Sequence, residues 1–247
     1  MEIKKTRIVR ILILVSILAF VITGCGNGKA LEWNFTFEQD EEGWTGDFTD
    51  LPVDYEQGLY ELDFGYRDLP AELGVSKKAI MIGGNNSSDD LFMYIKRPLT
   101  KEDGVAPNTE YLVWFTVQIA TNAPKGAFGI GGPPGEAVFF KVGASTEEPV
   151  PVIGGGTGSP AQYLLSADKG SQNDEGADAV LIGDVSKDDG SDDFNYSFKT
   201  LTNTGHPLKA VSDENGTLWI FLGTDSGFEG RTTLYYNSIA ISLEKAN

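Results

Sequence analysis

Apolar side chains recur at every second position along several stretches of this chain, a period that belongs to strands and not to helices. In 111–119, Tyr111, Val113, Phe115, Val117 and Ile119 share one face, while Leu112, Trp114, Thr116 and Gln118 lie on the other. In 91–96, Leu91, Met93 and Ile95 oppose Phe92, Tyr94 and Lys96. In 217–223, Leu218, Ile220 and Leu222 oppose Trp219 and Phe221. Segments apolar on both faces are packed on both sides. Further strands are expected at 33–38, 59–66, 79–83, 137–142, 179–182, 195–201 and 233–243, bounded by Gly, Pro, Asn and Asp clusters. No long helical period follows the first 25 residues. About ten strands predict an all-β chain, a two-sheet antiparallel β-sandwich of jelly-roll kind.

The N-terminus carries an address. Lys4, Lys5, Arg7 and Arg10 precede an apolar run from Ile11 to Ile22, followed by Thr23, Gly24 and Cys25. A basic start, a short apolar stretch and small residues before a cut site describe a secretory signal. The span 8–22, about 15 residues, is short of the roughly 20 that span a bilayer. The cut falls before the chain's single cysteine. That arrangement resembles the lipobox of bacterial lipoproteins. The resemblance implies cleavage after 24, a fatty-acylated (palmitate-type) Cys25 as the new N-terminus, and a membrane anchor outside the cytoplasm. The expected organisation is a signal peptide over 1–24, a tether over 25–30 and one sandwich domain over 31–247. At roughly 3.5 Å per residue the tether reaches under about 20 Å, so the domain sits close to the membrane.

Removing 1–24 leaves fifteen basic against thirty-five acidic residues, a formal charge of −20. Such a surface repels nucleic acid, which needs clustered Lys and Arg. With Cys25 taken by lipid no disulfide forms, and the apolar core alone holds the fold.

Pro107-Asn108-Thr109-Glu110-Tyr111 leads into the longest alternating strand. It resembles the L-x-P-N-T-x-Y entry to a central strand of galactose-binding-like domains and carbohydrate-binding modules. Phe37-Glu38 with Gly43-Trp44 resembles their F-E-x-x-x-x-G-W opening, and Tyr235-Tyr236-Asn237-Ser238-Ile239 resembles their closing strand. The likeness covers the two ends and one central strand; 120–215 matches no named pattern. It implies a jelly roll more than an activity, and a structural calcium between the first and last strands, here at Glu38 and Asn237 with Asp40 assisting. Asn237 replaces the usual acid and interrupts a face read as Tyr235, Ile239, Ile241 and Leu243.

Catalysis has few means here. The one histidine, His206, lies in a Gly-His-Pro turn. No G-x-S-x-G elbow exists, and a Cys/His zinc site is excluded by count. Two carboxylates would suffice for a glycosidase. Polar loops are more prominent. Gly83–Asp90 offers Asn85, Asn86, Asp89 and Asp90 beside Phe92 and Tyr94. Gly223–Gly230 offers Asp225, Phe228 and Glu229, two acids and an aromatic plate, in what reads as a loop between two strands. The segments 168–178 and 184–193 are rich in oxygen ligands but fail the EF-hand spacing. The segment 127–158, dense in Gly and Pro, reads as long loops. These features predict a non-catalytic module binding glycan through Asn85, Asn86, Asp89, Asp90, Asp225, Phe228 and Glu229. The alternatives are a structural lipoprotein docking another envelope protein, and a carboxylate-based hydrolase.

Overall fold

The computed structural model describes residues 29–87, 90–155 and 160–246. The leader, Cys25 and Asp89 lie outside the described residues. The strands in chain order are β1 (Leu31–Phe35), β2 (Thr45–Thr49), β3 (Leu51–Pro52), β4 (Asp63–Asp68), β5 (Lys78–Asn85), β6 (Leu91–Leu99), β7 (Glu110–Thr121) and β8 (Val138–Ser145). They continue as β9 (Pro151–Gly154), β10 (Gln162–Leu165), β11 (Ala179–Asp184), β12 (Ser197–Thr202), β13 (Leu208–Val211), β14 (Leu218–Ser226) and β15 (Arg231–Lys245).

Two antiparallel sheets face each other. One runs β12-β7-β15-β5-β4, with β1 added on β15 and β13 on β7; the other runs β11-β8-β14-β6-β2. The chain repeatedly crosses between them, as β5, β6, β7 and β8 alternate sheets. The alternation read from 111–119 holds: Tyr111, Val113, Phe115, Val117 and Ile119 are buried in the core between the sheets. They meet Leu91, Met93 and Ile95 of β6, Val138, Phe140 and Val142 of β8, and Leu218, Ile220 and Leu222 of β14. Each such fully buried side chain contributes about 1.5–3 kcal/mol.

Two expectations need correction. Gly223–Ser226 belongs to β14 and is no loop, so Asp225 sits inside a strand, paired opposite Phe92 and Phe139. The segment 59–66 is not one strand: a short helix, Gln57–Tyr60, ends at Glu61 in the left-handed region before β4 begins. Along β15, register shifts between Tyr236 and Ser238, a bulge that leaves Asn237 as the extra residue. Leu234 and Tyr236 face the core before it, Ile239, Ile241 and Leu243 after it. The bulge explains why Asn237 breaks the pattern, and why Tyr235 packs outside, against Tyr196.

The outer face of the five-stranded sheet is covered by the chain's own residues 146–155 and 160–178. There β9 and β10 pair with β3 as a small third sheet. Leu165 and Ala167 of this strap close over Phe92, Tyr94 and Phe221, a second small core. Gly143 lets Phe221 lie across its strand, because a Cβ there would meet the ring at 2.1 Å. Tyr94 Oη and Lys96 Nζ both donate to Pro149 O, at 3.2 and 2.8 Å, tying down the start of the strap.

Candidate functional site

The structure brings the two polar segments chosen from sequence to one end of the sandwich. Asn85 pairs opposite Arg231, and Asn86 N donates to Gly230 O at 3.0 Å. Asn86 is buried and spends its side-chain amide on Ser226 O (2.8 Å) and Phe228 O (3.0 Å), so it shapes the loop. Asn85 Nδ2 reaches Leu59 O at 2.8 Å. Glu229 is exposed, and its backbone N–H donates to Ile130 O. Phe228, Asp90 and Asp225 separate into two different places.

Phe228 lines an open pocket of about 210 Å³ at this end. The glycine-rich loop after β7 docks on the loop after β14, through Glu229 N to Ile130 O and Gly227 N to Ala137 O, both 2.9 Å. Glycines at 129 and 230 flank the Phe228 ring; a Cβ at either would stand 2.6 or 2.4 Å from it. Phe128 and Phe194 form further walls, with Asn122, Arg231 and Thr232 beside them. Phe128 is 100% exposed and Phe194 63% exposed, which no core requirement explains. Arg231 pairs with Glu61 at 2.5 Å.

The wall bearing Val185 and Phe194 is built by the acidic run 184–193. Its carboxylates wrap two buried ammonium groups. Lys187 Nζ donates to Asp193 Oδ1 (2.7 Å), Asp193 O (3.0 Å) and Asn195 O (3.1 Å). Lys199 Nζ meets Asp184 (3.1 Å) and Asp188 (3.3 Å). Asp193 is held below its ordinary pKa by Lys187 and the Asn195 N–H, and Asp189 by the Ser191 backbone and hydroxyl. For Asp184 burial works upward, but bonds from Ser186 and Lys199 outweigh it and hold it down.

Asp90 and Asp225 lie on the covered outer face, with Asp50 from the β2–β3 junction. One oxygen of each lies within 4.8 Å of the others. Lys169 of the strap reaches Asp225 Oδ2 at 2.6 Å and Asp50 Oδ2 at 2.7 Å; Lys141 of β8 reaches Asp225 Oδ2 at 3.0 Å. The ammonium groups occupy the centre where a metal ion would compete. Burial pushes Asp50 up. Burial, then the Asp225 and Asp50 charges, pushes Asp90 up to about 8. Burial opposes the charge of Lys169, but the Asp225 and Asp50 carboxylates prevail and raise its pKa. Lys141, where burial prevails, is lowered.

At the position expected for calcium, Glu38 and Asp40 are exposed, and Asp40 accepts from Glu42 N. Asn237 Nδ2 donates to Gln118 Oε1 at 2.6 Å. The Lys77 ammonium lies between the first and last strands, donating to Thr36 O (2.7 Å) and Asn237 O (3.1 Å). Those carbonyls already have a cation.

Sequence reasoning missed Lys141, Lys169, Asp50, Phe128 and Phe194. A lysine inside Val-Phe-Phe-Lys-Val was a visible sign of a buried charge partner. A phenylalanine set between Ala127 and Gly129, outside any alternation, was a sign of an exposed ring.

No family model matches the chain, and no curated protein matches it. Similar solved structures include carbohydrate-binding modules. One is the CBM22-1–GH10 portion of the Clostridium thermocellum xylanase 10B complexed with xylohexaose, at 12% identity over 87% of this chain and 28% of that chain, TM-score 0.38. A second comes from work on carbohydrate-binding modules of the β-sandwich superfamily, at 13% identity over 86% of this chain and 61% of that chain, TM-score 0.37. A third is TmCBM27, described for mannan recognition, at 10% identity over 89% of this chain and 100% of that chain, TM-score 0.37. This chain thus spans less than two thirds of the first two. The sandwich assignment rests on the sheets of this chain itself, and no ligand is inferred from these likenesses.

Proposed function

We propose that this chain is a non-catalytic glycan-binding module, held at the cell envelope, outside the cytoplasm, by a lipid on Cys25. The observation that carries the reading is the open pocket walled by Phe128, Phe194 and Phe228, with an amide, a hydroxyl and a guanidinium beside them. Sugar rings present apolar C–H faces to aromatic plates and hydroxyls to planar polar groups, and this combination of walls suits both. Docking on another envelope protein would use the same exposed rings; Asn122, Thr232 and Arg231 converging on one pocket favour a small polar ligand. Hydrolysis would need carboxylates facing an open cleft. Of the three that converge here, Asp50 and Asp225 are buried and bound to lysines, and Asp90 is half-buried beside them. Calcium forms no part of this reading, since Lys77 holds the carbonyls of Thr36 and Asn237.

Glycan-array screening followed by titration tests it. Phe128→Ala should weaken binding about 10-fold, roughly the 1.4 kcal/mol of one lost stacking plate, and leave stability unchanged because the ring is fully exposed. Absence of binding across plant, algal and bacterial glycans would remove the proposal.

A further inference from the structure

We propose that Lys141 and Asp225 become joined by an intramolecular amide bond, formed by the side chains clustered under the strap. Both side chains are fully buried, and Lys141 Nζ stands 3.0 Å from Asp225 Oδ2. They project from neighbouring strands of one sheet, β8 and β14, so the contact is fixed by the ladder. Lys141 Nζ also donates to Lys169 O and Asp174 O, each at 2.9 Å. A neutral amine keeps two N–H bonds on those carbonyls and turns its lone pair toward Asp225. Asp225 also shares a side-chain hydrogen bond with Asp90. Two fully buried charges pay a desolvation cost that a neutral amide would relieve.

The neighbours supply the rest. Lys169 Nζ, 2.6 Å from Asp225 Oδ2, stabilises negative charge on that oxygen as the carbon becomes tetrahedral. Asp90 has a carboxyl oxygen within 4.8 Å of one on Asp225, and in the proposed step it relays a proton between nitrogen and oxygen. The stacked Phe92 and Tyr94 rings, 5.3 Å apart, and the strap keep water away. Burial lowers Lys141 and raises Asp90 to about 8, which favours the free amine and the protonated acid this chemistry requires.

The step balances. Lys141 gives one proton to Asp225, leaving a neutral amine and a neutral acid. The nitrogen lone pair attacks Cγ, and the carbonyl electron pair moves onto oxygen. Asp90 takes a second proton from nitrogen on one oxygen while its other oxygen protonates the departing hydroxyl. A C–N bond forms, a C–O bond breaks, and one water leaves; nothing is oxidised or reduced. Lys169 is left facing the Asp50 carboxylate, with Asp90 again protonated. Fixed geometry of this kind gives effective molarities of about 10⁵–10⁸ M, enough to make a reaction of unactivated groups feasible over the life of a protein.

Tryptic mapping of the denatured full chain by mass spectrometry decides it. The amide blocks cleavage at Lys141, so segment 126–169 should appear joined to segment 210–231, one water lighter than the sum of the two. In an Asp90→Asn chain with a native circular-dichroism spectrum, the joined peptide should disappear and 126–141 and 142–169 should appear. A wild-type digest containing only linear 126–141 and 210–231, or a bond mapped to Lys169 instead of Lys141, would overturn the proposal. A joined peptide undiminished in Asp90→Asn would overturn the role given to Asp90.

Discussion

Two regions of this molecule hold the same ingredients in opposite conditions. On the outer face of the five-stranded sheet, Phe92, Tyr94 and Phe221 accompany lysines and aspartates beneath a strap. At the end of the sandwich, Phe128, Phe194 and Phe228 accompany Lys187, Lys199 and a run of aspartates that stay open to solvent. Lysine heads are buried in both places, but the acids are buried only in the first. There Asp50 and Asp90 are pushed up, whereas Asp184, Asp189 and Asp193 are pulled down. In the first region desolvation of the acid outweighs the neighbouring cations; in the second, hydrogen bonds to the carboxylates outweigh desolvation. The first region is closed over by the strap, and the second leaves its aromatic rings exposed.

The largest effect should come from removing the strap's cation. Lys169→Met leaves Asp50 buried without its partner and should cost about 3–5 kcal/mol in urea unfolding. Lys187→Met loses bonds to groups that water can reach and should cost about 1–2 kcal/mol. Equal costs would erase the distinction.

The next effect is opposed pH dependence. Asp50 and Asp90 hold protons more tightly folded than unfolded. Their contribution is full below the ordinary carboxylate range and is lost as pH rises through about 8 for Asp90. Burial, the larger cause, acts whether or not the amide forms. Asp184, Asp189 and Asp193 behave in reverse: their contribution is full above the ordinary range and is lost as pH falls through their lowered values. Amide hydrogen exchange, corrected for its intrinsic rate, should therefore quicken in 147–178 toward pH 8 and in 184–195 toward acid. Asp90→Asn should flatten the first trend and leave the second.

The smallest effect concerns calcium. Because Lys77 already holds Thr36 O and Asn237 O, calcium or a chelator should leave the melting temperature unchanged. A rise with calcium would show that a divalent ion displaces the ammonium.

Much of the first region's framework was legible in the sequence. Apolar residues on both faces of 91–96 and 217–223 announced strands covered on both sides. Asp225 misled because a charge inside a strand is tolerated only with partners, and those partners, Lys141 and Lys169, lie 84 and 56 residues away. The strap was invisible for a related reason. Its short strands, Pro151–Gly154 and Gln162–Leu165, lie in Gly- and Pro-rich sequence and gain order from covering Phe92, Tyr94 and Phe221. The second region was half legible. Phe228 stood out, but Phe128 and Phe194 reach it only through loop docking that no local pattern encodes.

The proposed glycan site is the open pocket, with the covered face closed to it. Isothermal titration of a glycan found by array, against the native chain and the Phe128→Ala and Lys169→Met chains, tests this most directly. Binding should weaken about 10-fold in the first variant and persist in the second despite its lower stability. Binding untouched by Phe128→Ala, or strengthened by Lys169→Met, would contradict the account and move the site beneath the strap.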